Sequence, residues 1–214
     1  MGDLDYNEYY RKFDLEKDPW TVVGANEDSE GSNFAYKSEI LKRCGLKESS
    51  TLLDIGCGTG LLLKYLQNYL ISPKNYVGID ISSDAIEFCK KHYPNSEWYT
   101  CEMTKLPTMN RKFDAICLFS VFTHMYPNDI IEFLKEMKIF LNKDGCIVAS
   151  VILNQSVSNF IGDRWKIEIN KEYFFSLVRS AGFFKIEQPE PDEFYSNIAT
   201  SNPRAVIQVV FKIS

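Results

Sequence analysis

The sequence predicts a doubly wound α/β domain: a seven-stranded, mostly parallel sheet with helices on both faces and an antiparallel hairpin at the C-terminal end. Three observations predict it. From residue 51 onward, short apolar runs alternate with segments of helical apolar spacing. A glycine-rich stretch, Asp54-Ile55-Gly56-Cys57-Gly58-Thr59-Gly60, falls between the first strand and its helix. The last two strand-like runs have only a loop between them, which favours a hairpin. The 214 residues suit one domain, and a 45% hydrophobic, 25% charged composition suits a globular chain with a real core.

The elements follow in order. Residues 1–33 are polar with interspersed aromatics (Tyr6, Tyr9, Tyr10, Phe13, Trp20) and a loop-like stretch at 24–33. They read as an N-terminal helical flap, with the sheet domain spanning 34–214. Residues 34–44 have helical spacing, and Gly45 is the stop signal. Residues 51–55 form the first strand and 61–70 an amphipathic helix. Strand two is 76–79. Ser82 or Ser83 caps a helix to about His92, and Pro94 ends it. Residues 97–101 and 113–119 are strands three and four, the latter apolar almost throughout, as for a strand covered on both faces. A helix over 127–141 has Pro127 in its first turn. Residues 146–153 are strand five, 171–181 a helix closed by Gly182, and 183–187 and 205–212 the final pair.

Composition narrows the class. The net charge of −5 argues against a protein that grips nucleic acid broadly. Six cysteines without a Cys-x-x-Cys pair read as reduced thiols, and only two histidines are present, so no metal site is expected. The N-terminus lacks a signal peptide's features, and no apolar run approaches the ~20 residues of a membrane helix. A cytoplasmic location is expected.

The glycine stretch carries the chemistry. Glycines at a strand-to-helix turn let backbone approach a ligand closely. Gly56 and Gly58 fit a dinucleotide fingerprint, but its third glycine position is Leu61. Gly60 comes one residue early, and Asp54 precedes the loop. A carboxylate there disfavours a pyrophosphate and favours a ligand carrying an ammonium and a sulfonium.

On these residues the chain resembles the class I S-adenosylmethionine-dependent methyltransferases, over about residues 34–214. Residues 52–60 are similar to that family's first motif. Val77-Gly78-Ile79-Asp80-Ile81-Ser82 resembles its second and Phe113-Asp114-Ala115-Ile116 its fourth-strand motif. Phe140-Leu141-Asn142-Lys143-Asp144-Gly145 resembles its turn before strand five, with Asp144 and Cys146 departing from the usual residues. The resemblance implies a Rossmann-like fold and S-adenosylmethionine as cofactor. It implies contacts from Asp54, Gly56, Cys57, Gly58 and Gly60. Asp80 would accept from the ribose diol and Ile81 lie on the adenine. Glu102 would accept from the adenine amino group, beside the Met103 backbone, and Phe119 would lie near the methionine part.

His124, in Val121-Phe122-Thr123-His124 just past strand four, is the candidate catalytic base, since imidazole ordinarily titrates nearest neutral pH. A packing role beside the cofactor is the competing reading. Tyr9, Tyr10, Phe160 and Trp165 are candidates for an acceptor pocket, and Arg11 or Arg164 for binding an acceptor carboxylate. The function expected is methyl transfer to a small-molecule acceptor, at oxygen, in specialised metabolism, without metal. The alternatives are a nucleic-acid or protein methyltransferase, or a non-catalytic cofactor-binding domain. Phe119-Ser120-Val121-Phe122 departs from the Asp/Asn-Pro-Pro-Tyr of amino-methylating nucleic-acid enzymes.

Overall fold

The computed structural model describes residues 6–19, 36–69, 72–102, 104–154, 158–163, 166–189 and 208–214. Met103, Arg164, Trp165, Trp20 and the loop before the last strand lie outside them.

The predicted sheet is present. Its strands are β1 (Leu52–Ile55), β2 (Tyr76–Asp80), β3 (Glu97–Thr100), β4 (Phe113–Leu118), β5 (Leu141–Asn154), β6 (Phe160–Asp163), β7 (Lys166–Asn170), β8 (Ile186–Glu187) and β9 (Gln208–Ile213). Five parallel strands run in the order β3-β2-β1-β4-β5, and β9 lies antiparallel beside β5 with β8 outside it. These are the seven expected strands in a doubly wound order.

The sheet has nine strands, however, not seven. The two additional ones form a hairpin, with β7 parallel to the end of β5 at Ile152–Asn154 and β6 antiparallel to β7. Residues 166–170 carry the reason: Ile167 and Ile169 are buried, whereas Lys166 is exposed. That period of two is the pattern of a half-buried strand.

Helices cover both faces. On one lie α2 (residues 36–43), α3 (Leu61–Tyr69) and α4 (Ser83–His92); on the other lie α5 (Pro127–Phe140) and α6 (Lys171–Ser180). Side chains alternate along each strand, so consecutive residues join opposite cores. Leu52, Tyr76, Cys117 and Val148 pack with Ile40, Leu63 and Leu66. Leu53, Val77, Ile116 and Ile147 pack with Phe133, Leu134 and Phe174. The predicted stops hold: Leu46 N–H reaches Leu41 O past Gly45, and Phe183 N–H reaches Val178 O past Gly182. A short helix, α1 (Tyr6–Tyr10), lies over α4.

Candidate functional site

The site forms where β1, β2 and β4 end. Gly56, Gly58 and Gly60 have φ of +73°, +53° and +76°, the left-handed region open to glycine at little cost. The loop folds back on β2. Gly56 N–H and Cys57 N–H both donate to Ile79 O, at 2.8 and 3.1 Å, and Gly60 N–H donates to Cys57 O. Gly58 N–H donates to Asp80 Oδ2 at 2.8 Å. Four N–H groups of the loop, those of Gly56, Cys57, Gly58 and Gly60, are thus committed within the protein. The loop fits a ligand that wants close backbone contact rather than a nest of N–H groups.

Asp80 ends β2 and is buried. Its second oxygen accepts from Ser82 N–H at 2.9 Å. Burial pushes its carboxyl above the usual range, opposed by the N–H groups of Ser82, Gly58 and Ile81. The helix cap is Ser82 itself, whose hydroxyl accepts from Ala85 N–H. A carboxylate has about four lone-pair positions, so an Asp80 holding these bonds keeps acceptor capacity for a diol. Ile81 follows it, half-buried.

Asp54 sits one face deeper. It accepts hydrogen bonds from the Tyr76 hydroxyl and from Cys117 Sγ, the latter at 3.3 Å. Burial raises its carboxyl to about 6, opposed by those two donors and the Lys37 ammonium. Expected as a cofactor contact, it lies at the centre of a buried network joining β1, β2 and β4.

After β4 the chain turns sharply. Ser120 has φ +64°, the one non-glycine residue in the left-handed region among the described residues. Two hydroxyls hold it there: Ser150 Oγ accepts from its N–H, and Thr123 Oγ1 donates to its carbonyl, both at 2.8 Å. The turn drives Val121 against the glycine loop, so closely that a Cβ on Gly56 would lie 2.5 Å from Val121 Cγ2. His124 follows in a short 3-10 helix, half-buried, its N–H on Val121 O.

The described part of the N-terminal segment lies across this crevice. Asn7 Oδ1 accepts from Ser83 N–H at 2.9 Å, and Arg11 pairs with Asp84 at 3.1 Å. Tyr10 is buried against Ala85, and its phenol is pushed well above its usual range by burial and then by Asp80. The Tyr6 ring meets His124 edge-on, 6.1 Å between centroids. Pro19 O accepts from Thr59 Oγ1 at 2.8 Å, and Glu16 pairs with Lys91 and His92.

The structure therefore brings together Asp54, Gly56, Cys57, Gly58, Gly60, Asp80, Ile81, Phe119 and His124. Glu102 lies two residues past β3, exposed and bridged to Lys105. Met103 lies outside the described residues. Arg11 is exposed and paired with Asp84, and Phe160 is exposed against Tyr126. Among the described residues, no group of three or more His, Cys, Asp or Glu could hold a metal ion. Sequence reasoning missed Tyr76, Cys117, Ser150 and Lys37. Only Lys37 had a visible signal: with Ile40, Leu41 and Cys44 it forms an i, i+3, i+4, i+7 stripe along α2 and the turn that ends it, where a lysine is out of place.

A methyltransferase-domain family profile matches residues 52–145. A ubiquinone biosynthesis O-methyltransferase of Pelagibacter ubique is 34% identical over 134 residues, covering 58% of this chain and 53% of the relative. A tRNA U34 carboxymethyltransferase of Campylobacter fetus is 29% identical over 152 residues, covering 68% and 51%. The chain thus spans about half the length of these relatives. In fold, it is similar to an S-adenosylmethionine-dependent methyltransferase of Leishmania major, with a TM-score of 0.69 at 15% identity, covering 98% of this chain and 81% of that one.

Proposed function

We propose a specific activity for this chain, which belongs to the class I S-adenosylmethionine-dependent methyltransferase family: it methylates a small-molecule acceptor at oxygen. S-adenosylmethionine is the cofactor and supplies, when bound, an activated methyl group on a sulfonium. The residues around it have separate tasks. Asp80 holds the ribose and Ile81 covers the adenine. Glu102 and the backbone of Met103 read the adenine edge. The glycine loop and Phe119 lie along the methionine part.

The observation that carries the acceptor reading is the place of His124. It stands half-buried just past β4, at the crevice, with Tyr6 of the N-terminal segment against its ring. A hydroxyl bound there can pass its proton to the imidazole as the new carbon–oxygen bond forms. The N-terminal segment, which we read as a flap, closes the crevice and keeps water out. The Pelagibacter relative, an O-methyltransferase, supports this reading.

The Campylobacter relative favours a second reading, transfer to tRNA. The net charge of −5 weighs against it. The test is incubation with methyl-labelled S-adenosylmethionine and separate pools of small metabolites, tRNA and protein. Label is expected in the small-molecule pool and in base-stable ether or base-labile ester linkages. Label in tRNA or protein, or on nitrogen or carbon, would overturn the proposal.

A further inference from the structure

Two thiols from distant parts of the sequence meet at the base of the glycine loop. Cys57, in the loop, and Cys89, in α4, both point at one oxygen, the carbonyl of Gly58. Cys57 Sγ stands 3.7 Å from it and Cys89 Sγ 3.3 Å. The two thiols are also hydrogen-bonded to each other. The sequence makes room for the pair. Gly78, on β2, has no side chain, and a Cβ there would lie 3.1 Å from Cys57 Sγ. On α4, Ala85 lies one turn before Cys89, on the same buried face, and this small residue seats Tyr10 of α1. Tyr10 is near enough to both thiols for each to act on it electrostatically, so the N-terminal segment covers the pair.

Methyl transfer from a sulfonium calls on neither thiol. Thiols already in hydrogen-bond contact can join with little backbone movement. Cys57 is 7% exposed, in the loop that borders the crevice, whereas Cys89 is fully buried. A small oxidant therefore meets Cys57 first.

We propose that Cys57 and Cys89 are a redox-modification site, which a hydroperoxide oxidises to a disulfide tying the glycine loop to α4. The Cys57 thiolate attacks one oxygen of hydrogen peroxide. A sulfur–oxygen bond forms as the oxygen–oxygen bond breaks, and hydroxide leaves a sulfenic acid behind. The Cys89 sulfur then displaces that hydroxyl and closes the disulfide. Each thiol gives up one proton, and the peroxide is reduced to water. The disulfide takes both S–H donors from Gly58 O. The N–H of the same residue holds Asp80 Oδ2 at 2.8 Å, so the change falls on the support of the ribose carboxylate. This effect on the donor rests on the cofactor reading of the crevice; the disulfide itself does not. Burial pushes the Cys57 thiol well above its usual range, so oxidation should quicken as rising pH forms the thiolate.

Peptide mapping after hydrogen peroxide treatment, with remaining thiols alkylated in denaturant, tests the modification. The expected product is a Cys57–Cys89 linkage reversed by dithiothreitol, with Cys44, Cys101, Cys117 and Cys146 still alkylated. Calorimetry then compares S-adenosylhomocysteine binding by the reduced, oxidised and re-reduced protein. Oxidation should weaken it about tenfold, the scale of one contact to a charged group, and re-reduction should restore it. Cys89→Ser should bind within about twofold of the unmodified protein and keep that affinity after the same peroxide dose. If Cys89→Ser does not fold, Cys89→Ala replaces it. Survival of both thiols, a linkage through other cysteines, or unchanged affinity of the oxidised protein would overturn the proposal. An equal loss in Cys89→Ser would also overturn it, by placing the effect on oxidation of Cys57 alone. Failure of the reduced protein to bind any adenosyl ligand would instead bring down the donor reading, while the mapping still decides on the disulfide.

Discussion

Gly56→Ala perturbs the tightest approach in the site. Gly56 has φ +73°, and its added Cβ would lie 2.5 Å from Val121 Cγ2. Two costs combine. A non-glycine residue in the left-handed region costs roughly 1–2 kcal/mol. Forcing a methyl into a packed contact costs about 1–3 kcal/mol, because the β-branched Val121 has little rotamer freedom to move aside. The variant should lose about 2–5 kcal/mol, a large part of an ordinary domain's stability. Val121→Ala removes the clashing methyls and leaves Cβ of residue 121, which stands 4.0 Å from the new atom, an ordinary contact. The double variant should then keep only the conformational cost plus that of Val121→Ala. Urea denaturation of the four proteins measures the coupling. We expect about 1–3 kcal/mol of it. Additivity within about 0.5 kcal/mol, or a Gly56→Ala cost below that figure, would refute the claim that the turn after β4 braces the glycine loop.

Three further predictions concern single residues. Asp80→Ala should weaken S-adenosylmethionine binding at least about tenfold, since two charge-assisted bonds to the ribose are lost; unchanged affinity by calorimetry would remove Asp80 from the ribose. His124→Ala should lower kcat about 100-fold, the lower range for a general base, with donor affinity changed less than about threefold; comparable losses in both would indicate a packing role. Asp54 titrates near pH 6 in the fold because burial raises it, against an ordinary value of 3.8. A raised carboxyl pKa means the folded state holds its proton longer. The Asp54 contribution is therefore fully present below pH 3.8 and is lost as pH rises through 6, by about 3 kcal/mol in all. The stability difference between the protein and Asp54→Asn should carry that slope between those values; a flat difference would contradict it.

What was legible in the sequence was local. Ser82 as a cap, Gly45 and Gly182 as stops, and the glycine turn all depend on a few neighbouring residues. The parallel strands were legible because both their faces are buried, which makes β4 nearly continuous in apolar residues. The hairpin of β6 and β7 was hidden by its brevity, although Ile167 and Ile169 carry the alternation. The Asp54 network could not be read along the chain. It exists because the β1–β2 and β1–β4 registers bring Asp54 opposite Gly78 and Cys117, and Tyr76 lies one pleat away on the same face. Ser120 is similar: nothing in its own neighbourhood demands φ +64°, and one of the hydroxyls that hold it comes from β5. Asn7 on Ser83 joins residues far apart in sequence, so the placement of the N-terminal segment over the crevice emerges only in the fold.

A crystal structure of the chain with S-adenosylhomocysteine tests the central claim most directly. The account predicts the ribose hydroxyls on Asp80, the methionine part along the glycine loop toward Phe119, and the sulfur facing the Ser120–His124 turn beneath α1. Ligand density outside that crevice, or a ribose turned away from Asp80, would contradict it.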